Sequence, residues 1–144
     1  NFRPFAPSVA AEDAADYFEG SDDSPFMLLV RPVKKSKLHK LPEQYHQLPL
    51  YEKLYHSRSA ELQAVTHVDG TARLQTVSEN KNPGFYRLLT TYKNLTGCGV
   101  LINTSFNVKD EPIVCSPRDA ISCFFKTGMN DLVIGDFMLS KELG

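Results

Sequence analysis

From residue 63 to residue 140, short apolar segments of two different periodicities alternate, and this constrains the fold more than any other feature. In TARLQTV (71–77), Ala72, Leu74 and Thr76 alternate with Arg73, Gln75 and Val77, the period of a strand. Asn82 and Pro83 then have the order of a helix cap and first helical residue. Phe85, Leu88, Leu89, Tyr92 and Leu95 follow on one helical face, and Gly97 stands where the helix should stop. GVLIN (99–103) reads as a buried strand. Ser116-Pro117-Arg118-Asp119 has capping-box spacing before Ala120, Cys123, Phe124 and Thr127, with Gly128 at the end. LVIG and DFMLS finish with extended segments.

The first half is less regular. FRPFAPSV (2–9) is proline-punctuated and extended. Ala11 to Phe18 predicts a short helix with Ala14, Ala15, Tyr17 and Phe18 inward and Gly20 closing it. FMLLV (26–30) predicts a buried strand. Residues 34–60, rich in Lys, Pro, Tyr and His, predict a long excursion with a short helix near 49–56. Ala64, Val65 and Val68 predict a strand that turns at Asp69-Gly70 into TARLQTV as a hairpin. Strands and helices in this order imply an α/β or α+β sandwich around a mixed sheet, in one domain of 144 residues.

Composition excludes several function classes. The longest apolar run is five residues, far short of a membrane span. Sixteen Lys and Arg offset seventeen Asp and Glu for a net charge of −1, so the basic excess of a general nucleic-acid binder is missing. Cys98, Cys115 and Cys123 show no CxxC spacing, and the expectation is three buried, reduced thiols in a cytoplasmic protein. The chain opens on Asn-Phe-Arg without a Met or a basic leader, and is expected to be a piece of something longer.

Chemistry-bearing residues cluster in INTSFNVKDEPIV (102–114), where Asn103, Thr104, Ser105 and Asn107 crowd the end of an apolar strand. Strand ends are where α/β sheets place ligands. Asn and Ser offer donors and acceptors to a phosphate, a carbamoyl group or a purine edge. The alternative is a turn in which these side chains satisfy their own backbone. Neither GxSxG nor an ordered triad accompanies Ser105, which speaks against a nucleophile. Arg73, mid-strand, is a candidate phosphate ligand, or else an exposed cation paired with Asp69. His67 and Asp69 are a weak pair for a metal, which needs three or four ligands, and no metal site is expected. Arg3 and Ser8 are further candidates. No GxxxxGKS or GxGxxG is present, so side chains must hold any nucleotide.

The phrases FRPFAPSV, PFMLLV, AVTHVDGTARLQTV, NPGFYRLL, TGCGVLINTSFNVKDEPIV and LVIGDFML, in this order, resemble the C-terminal region of NodU-type O-carbamoyltransferases, a family of nodulation proteins and antibiotic-tailoring enzymes. The match is weak only across about 31–62. The resemblance implies a YrdC-like domain, a twisted mixed β-sheet flanked by helices. Such a domain activates carbamoyl phosphate with ATP and Mg2+, giving carbamoyladenylate and pyrophosphate. An N-terminal catalytic domain of the same polypeptide then carbamoylates an acceptor hydroxyl. YrdC-like domains use a lysine-x-arginine pair, which would lie before Asn1, and a Ser-x-Asn pair, matched by Ser105 and Asn107. Under this reading Arg73, Ser105 and Asn107 are catalytic. Arg3, His67, Arg73, Asn103, Thr104, Ser105 and Asn107 contact the nucleotide or carbamoyl group. Asp110 stands where the family usually has glycine. The alternatives are a YrdC-like domain of the tRNA threonylcarbamoyl-AMP synthase type and a non-catalytic nucleotide-binding module.

Overall fold

The computed structural model describes residues 5–20, 23–53, 56, 59 and 61–141. It divides into two compact units, Asn1–Asn103 and Thr104–Gly144. Among the described residues the content is mixed: a four-stranded mixed sheet, a separate two-stranded hairpin and four α-helices.

In the first unit the strands are β1 (Ala6–Ala10), β2 (Leu29–Pro32), β3 (Thr71–Val77) and β4 (Val100–Asn103), in the spatial order β2-β3-β1-β4. The central pair β1/β3 is parallel and both outer pairs are antiparallel. Every residue of β1 is buried, as befits a strand between two others. Pro7 is tolerated there because β3 joins the ladder only from Ser8 onward, leaving Pro7 one neighbour, Ile102 of β4.

One face of the sheet carries the core. Val9, Ala72 and Leu74 pack with Ala14, Tyr17, Phe18, Val33, Leu62 and Val65. Ala14 and Tyr17 come from α1 (Ala14–Tyr17), which a 3-10 turn over Ala11–Asp13 precedes. Ala15, expected inward, is exposed, because the helix is a single turn and presents one narrow face. The excursion contains α2 (Leu50–Lys53) and 3-10 turns at Lys35–Lys37 and Tyr45–Gln47, near where a short helix was expected. Tyr45 anchors it: the ring is buried and the hydroxyl donates to the Val68 carbonyl at 3.1 Å.

Three strand expectations need correction. FMLLV is not a buried strand. β2 begins only at Leu29 and lies at the sheet edge, and Phe26 and Leu28 are 77% and 80% exposed. An apolar run alone does not distinguish an edge from a centre. The segment before Asp69-Gly70 is a 3-10 turn (Gln63–Val65), so no hairpin forms there. The turn itself is tight, with His67 N donating to Thr71 O at 2.7 Å and Gly70 at a φ of +81°. The antiparallel partner of β3 is instead β2, with Pro32 opposite Thr71. β4 is only half-buried, because it forms the opposite edge of the sheet.

α3 (Pro83–Thr96) packs against β1 and β4. It starts as expected, with Asn82 Oδ1 accepting from Phe85 N, and it ends at Gly97 with a φ of +79°. Of its predicted inward face only Leu89 is buried; Leu95 is 81% exposed.

The second unit holds α4 (Pro117–Lys126) and a hairpin of β5 (Asp131–Ile134) and β6 (Phe137–Ser140). Ser116 Oγ accepts from Asp119 N, the expected cap, and Ala120, Cys123 and Phe124 are buried. Lys141 Nζ lies 4.6 Å from the centre of the Phe124 ring. All three cysteines are free, but only Cys123 is buried; Cys115, just before the helix cap, is exposed, and Cys98 is intermediate. No helix among the described residues is long and apolar enough to cross a membrane.

Candidate functional site

Side chains alternate between the two faces of a strand, so Thr71, Arg73 and Gln75 share the face of β3 opposite the core residues Ala72 and Leu74. The parallel register sets Ser8 of β1 beside Gln75. The antiparallel register sets Asn103 of β4 beside Ala6, two residues from Ser8 on the same face. Three strands thus bring Ser8, Gln75 and Asn103 together. Gln75 Oε1 accepts from Ser8 Oγ at 2.6 Å and from Asn103 Nδ2 at 2.7 Å. Gln75 Nε2 donates to the Pro25 carbonyl at 3.0 Å. Ser8 is wholly buried, whereas Gln75 and Asn103 are partly open.

Arg73 lies on this same face, opposite Val30 of the edge strand. It is exposed, and no ion pair or hydrogen bond of its guanidinium is found among the described residues. Asp69, the pairing partner considered for it, is engaged elsewhere: its Oδ1 accepts from Thr71 N at 3.0 Å and from Thr71 Oγ at 2.7 Å. Burial pushes the Asp69 carboxyl up, but these hydrogen bonds and the nearby His67 outweigh it and leave Asp69 below the usual carboxylate range. His67 Nδ1 lies 2.9 Å from the same Thr71 hydroxyl. His67 and Asp69 therefore meet through Thr71 at one end of β3, and no group of three metal-ligating side chains forms among the described residues.

Thr104, Ser105 and Asn107 fall in the second unit. Thr104 and Ser105 are exposed. Asn107 Nδ2 donates to Val108 O at 3.1 Å and Glu111 O at 3.0 Å. Val114 N closes the loop on Phe106 O at 3.0 Å. Asn107 therefore performs the structural role that its residue type allowed, holding its own loop together. Asp110 in this loop adopts a φ of +66°. Arg3 lies outside the described residues.

Sequence reasoning missed Gln75 and Pro25. Gln75 looked like one more outward polar residue of an alternating strand. Only the cross-strand registers show that it joins two other candidates.

A family model described as carbamoyltransferase C-terminus matches residues 1–141. An uncharacterized protein of Synechocystis is 52% identical over 98% of this chain and 23% of its own length. The nodulation protein NolO of Bradyrhizobium diazoefficiens is 40% identical over 99% of this chain and 23% of its own. A 3'-hydroxymethylcephem-O-carbamoyltransferase of Amycolatopsis lactamdurans is 34% identical over 100% of this chain and 23% of its own. The chain thus spans less than a quarter of the length of these relatives.

Proposed function

Since the chain belongs to the carbamoyltransferase C-terminus family, we propose that it is the part of an O-carbamoyltransferase that binds ATP and carbamoyl phosphate and forms carbamoyladenylate. Water cleaves carbamoyl phosphate to carbamate and inorganic phosphate. A carbamate oxygen then bonds to the α-phosphorus of ATP as the bond from that phosphorus to the β-phosphate oxygen breaks, and pyrophosphate leaves. Another domain of the same polypeptide would pass the carbamoyl group to an acceptor hydroxyl. The name of the Amycolatopsis relative, a hydroxymethylcephem carbamoyltransferase, fits such an acceptor.

The observation that carries this reading is one sheet face with a free cation beside fixed neutral donors and acceptors. Transfer at phosphorus is served mainly by positioning and charge. A nucleophilic side chain is not needed. Arg73, exposed and without a protein partner among the described residues, suits a phosphate. Asn103 suits a planar amide or purine edge. Ser105, Asn107 and Thr104 are the candidates on the second unit, and His67 and Arg3 are weaker ones. Mg2+ accompanies the nucleotide and takes its ligands chiefly from phosphate and water.

The test is calorimetric titration of magnesium-ATP into this chain and into the full-length parent, each with Arg73→Ala and Lys35→Ala. Arg73→Ala should lose far more affinity than the change at exposed Lys35; equal losses would sink the assignment. A parent that binds ATP but releases no pyrophosphate with carbamoyl phosphate would be a nucleotide-binding module instead. Binding of tRNA would favour a synthase of the threonylcarbamoyl type.

A further inference from the structure

Gln75 is held by a partner that cannot change its role. Its Nε2 donates to the Pro25 carbonyl oxygen, and a carbonyl oxygen only accepts. The other end of the amide, Oε1, therefore faces Ser8 and Asn103. An amide oxygen also only accepts, so both neighbours must present donors. Asn103 accordingly turns Nδ2 toward Gln75. The reverse orientation would set two carbonyl oxygens against each other at the 2.7 Å of this contact. Asn103 Oδ1 is left as the free end, and it accepts no hydrogen bond among the described residues. Pro25, on the segment leading into β2, thus determines through Gln75 which end of the Asn103 amide a ligand meets.

We propose that Gln75 is a positioning residue that presents Asn103 Oδ1 as an acceptor, so that the site selects a ligand bearing a planar amino group. The inference rests on the activation reading above, which offers two sources of that group: the carbamoyl NH2 and the exocyclic amine of adenine. A partly open acceptor such as Asn103 Oδ1 favours a ligand that brings an N–H over an analogue that lacks it by about the worth of one hydrogen bond. Gln75 touches neither ligand. It acts by denying Asn103 the choice of orientation.

The experiment measures carbamoyl-phosphate-dependent pyrophosphate release by the full-length parent. Acetyl phosphate replaces carbamoyl phosphate in one arm, exchanging NH2 for CH3. Purine riboside triphosphate replaces ATP in the other, removing the exocyclic amine. Gln75→Leu should lower the preference for the amino-bearing substrate about three- to tenfold in one arm, the worth of one hydrogen bond. That substrate's KM should rise while the KM of the other substrate stays put. The arm affected identifies the source. Asn103→Ala should lose the same preference, and adding Gln75→Leu to it should change nothing further. Gln75→Glu, which keeps an acceptor facing Asn103, should retain the preference even if it lowers stability, and this holds the idea to account should Gln75→Leu fold poorly. Preferences unchanged by Gln75→Leu, or lost equally in Gln75→Glu, would overturn the positioning role. A wild-type parent that releases no pyrophosphate would instead overturn the activation reading, and this inference with it.

Discussion

The phenol oxygen of Tyr17 accepts a hydrogen bond from the Gly99 backbone N–H at 2.8 Å, and both residues are buried. This contact ties the single-turn α1 to the chain just before the edge strand β4. The Tyr17 ring also lies under the Lys37 ammonium, 5.0 Å from its centre, so the excursion is fastened at the same place. Lys37 in turn meets Glu61 at 2.9 Å, and that hydrogen bond raises the Lys37 pKa.

Tyr17→Phe keeps the ring and removes only the acceptor. A buried N–H left without a partner costs roughly 1–3 kcal/mol. Urea denaturation should show a loss in that range with an unchanged slope. A loss near zero would mean that water reaches Gly99.

Asp23 gives the chain an acid-sensitive contact. Lys81 Nζ lies 2.6 Å from its Oδ2, and the Thr76 hydroxyl donates to Oδ1 at 2.7 Å. Hydrogen bonds from Lys81 first and Thr76 second hold its carboxyl below the ordinary 3.8, against a smaller opposing effect of burial. A depressed carboxylate pKa contributes stability that is complete above the unfolded value and is lost as pH falls through the folded one. Melting temperatures followed from neutral pH downward should fall less steeply below about pH 4 for Asp23→Asn than for the wild type. Parallel acid limbs would remove Asp23 from the account.

Asp110 occupies left-handed backbone at a φ of +66°. Glycine adopts this conformation freely, and other residues pay for it, aspartate less than most. Asp110→Gly should therefore raise stability by about 0.5 kcal/mol, while Asp110→Ala should lower it by about 1 kcal/mol. Thermal unfolding of the pair would reveal the opposite signs.

Leu74 and Leu28 test the correction to the sheet. Leu74 is buried in the core of the first unit, while Leu28 is 80% exposed beside the edge strand. Leu74→Ala should cost about 2–5 kcal/mol, and Leu28→Lys no more than about 0.5 kcal/mol. Comparable losses would place Leu28 in a core after all.

What the sequence determined by itself is local. The starts of α3 and α4 were legible because Asn82 and Ser116 cap helices through residues three positions away. Gly97 as the stop of α3 was legible because a left-handed turn favours glycine. The strand β3 was legible from its alternation. The C-terminal carbamoyltransferase family was legible from phrases in consistent order. Tertiary structure decided the rest, because strand pairing joins residues far apart and no local pattern records which strand is flanked on both sides. It put FMLLV at an edge, replaced the expected hairpin at Asp69-Gly70 by a pairing with β2, and gave α3 a single buried leucine. It also decided the candidate site. Asn103 and Asn107 look equivalent in the sequence, yet Asn103 joins a network across three strands while Asn107 closes its own loop. Gln75 gained its place only from the two registers that bring Ser8 and Asn103 to it.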